Sequence, residues 1–170
     1  MLPLPRSGPS LPSAPLPYVE PVATLPAPIA RLLTATKCTA LKILFGTKVL
    51  SEGTPAYNSF TGSYWAAQQA AVNPYCVFKP AQSLDVSVVV LLSRYYQCPF
   101  AAKGGGHAAF AGASNIEGAI TVSLENINHV RVASDKQTVD VGPGNKWIDV
   151  YTALEAYGVG VVGGRVSRSV

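Results

Sequence analysis

The chain has 170 residues, of which 48% are hydrophobic and 13% are charged, and its formal net charge is +4 at pH 7. The basic residues are scattered singly from Arg6 to Arg168, so no basic stripe indicates a nucleic-acid-binding surface. An uninterrupted apolar run of about 18 residues, which a membrane-spanning helix would need, is also missing from the sequence.

Proline dominates the beginning of the chain. Residues 1–30 contain nine of the 14 prolines. Because proline has no backbone N–H and fixes φ, this segment is predicted to be extended or disordered and not a stable helix. The prolines also interrupt the apolar core that a secretory signal requires, so no signal peptide is predicted.

The next predicted elements lead toward a glycine-rich loop. Residues 30–44 are predicted to form the first helix, which ends near Gly46. Cys76 begins an apolar strand, and residues 86–95 read as a mostly apolar helix. Residues 98–102 are predicted to form a short buried strand that delivers the chain to the loop.

The loop of residues 103–114 places one imidazole, that of His107, in an unusually bare backbone. Consecutive glycines at 104–106 allow main-chain N–H groups to approach phosphate oxygens closely and permit positive φ. Such a loop suits a large anionic cofactor. Lys103 either brings its charge near cofactor phosphates or lies at a solvated rim, and the sequence leaves both possibilities open.

Short strands follow the loop. Residues 118–124 form a β-rich segment, and residues 130–133 and 138–141 are predicted as two strands joined by a turn. Because no long helix opens at the glycines, the loop does not match a Rossmann fingerprint, and no Gly-Lys-Ser/Thr follows as in a Walker A loop. A further helix is predicted over residues 147–157, with its apolar stripe in the core and Gly158 as its stop.

Metal chemistry has no support in this sequence. His129 lies beside a predicted strand and has no second histidine or cysteine at ligand spacing. No metal site is therefore predicted.

Ordered motifs extend from about Cys38 to Ser167. They are Tyr57-Asn58, Tyr64-Trp65, residues 74–80, Asp85-Val86, and residues 98–101, 104–107, 110–113, 121–124, 141–144, 147–151 and 163–167. Together they resemble FAD-linked oxidases with a PCMH-type flavin domain of the vanillyl-alcohol oxidase superfamily, especially fungal berberine-bridge-enzyme-like members. In that comparison Tyr57, Tyr64 and Trp65 are assigned to packing.

The resemblance implies an α+β fold, namely the N-terminal part of a PCMH-type FAD-binding domain preceded by the disordered Pro-rich segment. It divides the chain into that segment at 1–30, an N-terminal helical lead-in at 31–71 and an incomplete FAD-binding domain at 72–170. Beyond Ser167 the sequence departs from the family pattern, as if the domain were cut near its middle. A truncated gene model, a frameshifted or mis-spliced product, and a chain completed by a second polypeptide are the competing explanations.

The resemblance also implies the cofactor, FAD, and its attachment through the flavin 8α-methyl group to His107. Histidine suits this role because its ordinary pKa of about 6.5 leaves a neutral, nucleophilic nitrogen near pH 7. The cofactor-binding residues expected are Lys103, Gly104, Gly105, Gly106, His107, Ala108, Phe110, Gly112, Ala113, Ser114, Gly163, Gly164 and Ser167. For Gly163, Gly164 and Ser167 an ordinary strand-to-loop connection is an equally open interpretation.

The cysteines and one valine complete the implied chemistry. Some relatives attach FAD a second time through a cysteine, but the matching position here is Val166, which cannot form a thioether, so single attachment is expected. The resemblance pairs Cys38 with Cys98 in a disulfide and leaves Cys76 as a buried thiol. A disulfide implies an oxidising compartment, hence secretion as in the family, in tension with the missing signal peptide.

The expected function is that of an FAD-dependent oxidase fragment. In the complete enzyme a small organic substrate would pass hydride to the flavin, and dioxygen would be the acceptor. Catalytic residues are expected outside this chain, and neither nucleic acid nor a membrane is an expected partner. The alternative is a noncatalytic truncated flavin-domain fragment with weak or no nucleotide binding.

Overall fold

The computed structural model describes residues 26–164. Disorder of residues 1–25, the expected cofactor contact of Ser167 and the role of Val166 lie outside the described residues. No helix within the described range combines the length and the apolar character needed to cross a membrane.

The first helix, α1, spans Ala27–Phe45 and ends at Gly46, whose φ is +54°. It therefore starts inside the segment predicted to be non-helical. Pro28 lies in the first turn, where a backbone N–H would have no helical partner, so proline is tolerated there. The helix therefore begins three residues before its predicted start at residue 30.

The lead-in at residues 31–71 was predicted to be helical, but it also contains a strand. After a short 3₁₀ turn, strand β1 (Val49–Ser51) pairs antiparallel with β2 (Cys76–Phe78). Helices α2 (Pro55–Thr61) and α3 (Ala67–Ala70) lie between these strands. The lead-in thus supplies an edge strand of the main sheet.

The remaining elements complete two sheets. Helix α4 spans Ser83–Tyr95, β3 spans Phe100–Lys103, β4 spans Ile120–Ser123, β5 spans Val130–Val132, β6 spans Val139–Val141 and α5 spans Trp147–Glu155. The main sheet has the order β1-β2-β4-β3, and β4 is parallel to both β2 and β3. Strands β5 and β6 form a separate antiparallel pair, as predicted.

Side chains of β2 alternate between two packed layers, as the pleat requires. Phe78 joins Leu41 of α1 and Val89 of α4 in one buried cluster, whereas Val77 joins Tyr57 of α2 in another. Helices α1 and α4 therefore cover one face of the sheet and α2 covers the other. The outer strand β3 differs from the prediction of a buried strand, because Phe100 is 38% exposed at the sheet edge.

The predicted disulfide is wrong. Cys38 of α1 is bonded to Cys76 of β2, with Cα atoms 6.2 Å apart, and Cys98 is a free, buried thiol. Helix α1 lies on the sheet face toward which Cys76 points, which brings the two sulfur atoms within bonding reach. Cys98 instead accepts a hydrogen bond from Thr34, one helical turn before Cys38, at 3.4 Å.

Candidate functional site

The glycine-rich loop begins where β3 ends, and its backbone conformation requires glycine at two positions. Gly106 has φ +73° and Gly112 has φ +79°, a left-handed region that side chains with a Cβ rarely adopt. A Cβ on Gly106 would also lie 2.9 Å from Cε of Lys103. The positive φ angles of the backbone therefore explain why glycine occupies positions 106 and 112.

A cavity of about 570 Å³ opens beside this loop. Its wall combines residues 103–107 of the loop, residues 63–65 of the lead-in, and Glu125, Gly144 and Lys146. The structure thus brings together five of the predicted site residues, Lys103, Gly104, Gly105, Gly106 and His107, around one space. Glu125, Gly144 and Lys146 were not predicted, because their approach depends on how the segments after β4 pack.

The charges at the cavity favour an anion. Lys103 is half-buried, with Nζ 5.5 Å from the Phe60 ring centroid and 5.4 Å from that of Tyr64. Burial lowers the pKa of Lys103, while the nearby Glu125 carboxylate opposes that shift.

Glu125 does not cancel this positive character. Its carboxylate forms an ion pair with Lys79 at 2.7 Å and accepts a hydrogen bond from Ser123 at 2.9 Å. Burial by itself would raise the pKa of Glu125, but these partners hold it below the ordinary value. Because Lys79 is engaged with Glu125, the charges of Lys103 and Lys146 remain for an anionic ligand.

Both arms of the loop are tied to α3 through Gln69, which has no exposed surface. Its side-chain amide donates to the carbonyl of Ala108 and accepts a hydrogen bond from the Ser114 hydroxyl at 2.6 Å. Asn115 donates to the backbone carbonyl of Gln69 at 2.7 Å. Neither Gln69 nor Asn115 was predicted, because a buried amide has no sequence signature until its tertiary partners are known.

Two aromatic residues of the lead-in also contact the loop. The buried Tyr64 donates its hydroxyl to the carbonyl of Ser114 at 3.2 Å, and burial raises the pKa of Tyr64 to about 12, so the phenol remains a donor at neutral pH. Trp65 was assigned to packing, but 64% of it is exposed. Its indole N–H donates to the His107 carbonyl at 2.9 Å, and its ring stacks on the imidazole.

The other predicted site residues lie farther along the chain. Phe110 is exposed, and the Ser114 hydroxyl is engaged with Gln69. Gly163 and Gly164 lie against the Trp147 indole, where a Cβ would come within 2.3 Å and 2.5 Å of ring atoms. Close packing against Trp147 therefore accounts for glycine at both positions.

Within the described part of the chain, no group of three or more histidine, cysteine or acidic side chains could hold a metal ion. His129 instead faces Asp140 across the β5–β6 hairpin, with 3.2 Å between Nε2 and Oδ1.

Comparison with protein-family models identifies an FAD binding domain over residues 74–167. An FAD-dependent monooxygenase of Arthrobotrys oligospora is 37% identical over 130 residues, covering 76% of this chain and 25% of that protein. An FAD-dependent monooxygenase of Cochliobolus heterostrophus is 40% identical over 110 residues, covering 65% of this chain and 21% of that protein. The chain thus spans about a quarter or less of the length of these curated relatives.

Solved structures share the fold. A chitooligosaccharide oxidase superposes with a TM-score of 0.67 at 20% identity, covering 81% of this chain and 28% of that one. The 6-hydroxy-D-nicotine oxidase from Arthrobacter nicotinovorans gives a TM-score of 0.63 at 16% identity, covering 71% and 26%. At these identities the likeness extends to the fold of the described residues.

Proposed function

Because this chain belongs to the FAD binding domain family, and so to FAD-linked oxidoreductases, we propose that it forms the flavin-anchoring part of an FAD-dependent oxidase, with FAD joined covalently to His107. The observation that carries the proposal is the single exposed imidazole at the wall of a glycine-lined cavity. An exposed imidazole at this wall is open to a bound ligand.

The residues present fit FAD. The backbone at Gly104, Gly105 and Gly106 leaves space at the cavity wall that side chains would fill. Lys103 and Lys146 supply positive charge for a diphosphate, and backbone N–H groups are suited to the same anion. When bound, FAD would supply the two-electron acceptor for the reaction.

The residues of this chain would bind FAD and orient the glycine-rich loop. Gln69 holds the loop on both sides of Phe110, so the backbone around His107 is ordered before a ligand arrives. Such preorganisation lowers the cost of binding. No catalytic base is assigned in this chain.

The proposed substrate is a small organic molecule and the proposed acceptor is dioxygen. The structural neighbours named above are oxidases, which supports an oxidase, whereas the curated relatives carry the name monooxygenase. The two reactions differ in their products. An oxidase releases one hydrogen peroxide for each substrate oxidised, whereas a monooxygenase transfers one oxygen atom to the substrate and the other to water.

The test of covalent attachment uses the full-length protein expressed with FAD supplied. Wild type should retain flavin after acid precipitation, with the flavin mass on the peptide that contains His107. His107→Ala should lose all acid-stable flavin. The matched control is His129→Ala, which alters the other histidine of the chain on the β5–β6 hairpin and should retain the adduct.

Other outcomes would refute parts of the proposal. Acid-stable flavin in His107→Ala, or none in wild type, would contradict covalent attachment through His107. Flavin on a cysteine peptide would contradict single attachment. A colourless wild-type protein would favour the noncatalytic alternative.

We also propose that the protein resides in an oxidising compartment, through secretion. The Cys38–Cys76 disulfide supports this, because such bonds persist outside the reducing cytosol. Protein isolated from its source is unfolded without reductant and then alkylated. Of the three cysteines, only Cys98 should carry the label. Labelling of all three would contradict the proposal.

A further inference from the structure

Trp65 has an unusual position for a tryptophan. It is 64% exposed, yet both parts of its side chain are engaged with the same residue of the glycine-rich loop. Its N–H donates to the His107 carbonyl at 2.9 Å. Its ring lies 6.0 Å from the imidazole centroid, with 30° between the ring planes. The contact therefore fixes backbone and side chain of His107 together.

His107 needs such support because its own surroundings are permissive. Its imidazole is exposed, and it follows three glycines, the last with φ +73°. An exposed side chain on such a backbone exchanges freely among rotamers. The Trp65 indole, whose centroid lies 6.0 Å from that of the imidazole, removes part of that freedom at the wall of the cavity.

The lead-in holds the next residue as well. Gln69, four positions after Trp65, donates to the carbonyl of Ala108. Consecutive carbonyls, those of His107 and Ala108, are thus anchored from the same short segment. Trp65 differs from Gln69 in that it also contacts the imidazole itself.

We propose that Trp65 is a positioning residue, which orients the His107 imidazole for covalent attachment of FAD; this inference rests on the proposed function. Attachment forms a bond between an imidazole nitrogen and the flavin 8α carbon. The N–H hydrogen and one C–H hydrogen are lost, and their two electrons and two protons reduce the same flavin. Dioxygen then takes up both electrons and protons as hydrogen peroxide, so the balance closes.

The experiment measures the rate of attachment in full-length apoprotein produced under riboflavin limitation. FAD is added over a range of concentrations, and acid-stable flavin is followed with time. In Trp65→Ala the maximal rate should fall by about 10- to 100-fold, the scale expected when a reacting group is misplaced. The FAD concentration that gives half the maximal rate should change by less than about threefold, because the group lost orients the imidazole and carries no charge for the diphosphate.

Two further variants sharpen the test. Trp65→Phe keeps an aromatic face but removes the N–H donor, so its maximal rate should lie between those of wild type and Trp65→Ala. Tyr95→Ala is the control, because Tyr95 is a 79% exposed aromatic residue at the end of α4. Its rate should equal that of wild type.

A second readout needs no flavin. In apoprotein with labelled histidine, the His107 imidazole protons should show a ring-current shift that Trp65→Ala removes and Tyr95→Ala keeps. Equal His107 shifts in wild type and Trp65→Ala, or equal maximal rates of attachment, would overturn the inference. A raised half-saturating concentration with an unchanged maximal rate would instead make Trp65 a binding residue and would also overturn it.

The failure of the proposed function is recognisable separately. If wild type forms no acid-stable flavin, covalent attachment itself fails and the positioning role falls with it. If wild type forms the adduct and Trp65→Ala forms it equally fast, the positioning role alone fails.

Discussion

Gln69 is the residue on which both arms of the glycine-rich loop depend. It is fully buried, and its side chain serves the Ala108 carbonyl and the Ser114 hydroxyl at once. A buried polar group that loses its partner costs roughly 1–3 kcal/mol. The contacts of Gln69 therefore hold the short helix α3 and the glycine-rich loop against each other.

Replacing this amide should loosen the loop. Gln69→Leu should lower the free energy of unfolding by about 2–4 kcal/mol, because partners on both arms become unsatisfied, and should weaken flavin retention. Urea unfolding of the full-length protein measures the first effect and flavin absorbance the second. The matched control is Gln68→Leu, since Gln68 is the exposed neighbour in the same helix. Equal losses in both variants would contradict the role assigned to Gln69.

At the scale of elements, the Cys38–Cys76 bond joins α1 to the sheet across 38 positions of sequence. It acts on the face where α1 and α4 pack against β2 and β4. Strand β1 lies at the edge of that sheet and is only three residues long, so its pairing gains from the nearby covalent link. The lead-in is thus fastened to the sheet by a bond as well as by packing.

Removing the bond should be costly. Cys76→Ser should lower the free energy of unfolding by about 4 kcal/mol on the chain-entropy account for a loop of this length. Cys98→Ser should keep the disulfide and cost under about 1 kcal/mol, since the thiol makes only weak hydrogen bonds. Urea unfolding and non-reducing peptide mapping measure both effects. A disulfide that survives Cys76→Ser but disappears in Cys98→Ser would restore the pairing first expected.

On the scale of the described part of the chain, residues 26–71 and residues 74–164 form one folded body. The former provide β1, one end of the disulfide, and the Trp65 and Gln69 contacts with the loop. The family match begins only at residue 74. The match of 130 residues to a curated relative is longer than this family match, so the sequence similarity continues across residue 71.

A deletion tests this unity. Deletion of residues 26–71 from the protein should abolish acid-stable flavin and most of the soluble yield. The reason is that β2 loses its antiparallel partner and the loop loses its anchors. The comparison is with the unshortened protein under the same expression conditions. A shortened protein that unfolds cooperatively and still carries flavin would show that the two segments are independent.

The sequence by itself determined the features that depend on neighbouring residues. The apolar helix before the loop, the β5–β6 hairpin and helix α5 were predicted close to their observed bounds, since hydrophobic period and turn residues specify them locally. The glycines of residues 104–106 likewise predicted a bare loop, and Gly106 adopts the positive φ that only glycine takes readily. The family resemblance added FAD.

Only the tertiary structure decided which distant residues meet. The choice of Cys76 over Cys98 as the partner of Cys38 depends on which sheet face α1 covers. The inclusion of β1 in the sheet depends on its pairing with β2. A strand of three residues is too short for its sequence to predict that pairing. The contacts of Trp65 and Gln69 with the loop bridge about 40 positions of sequence. Burial and hydrogen-bond satisfaction over the whole fold determine which residues pack together across such separations. A local sequence pattern does not predict these contacts.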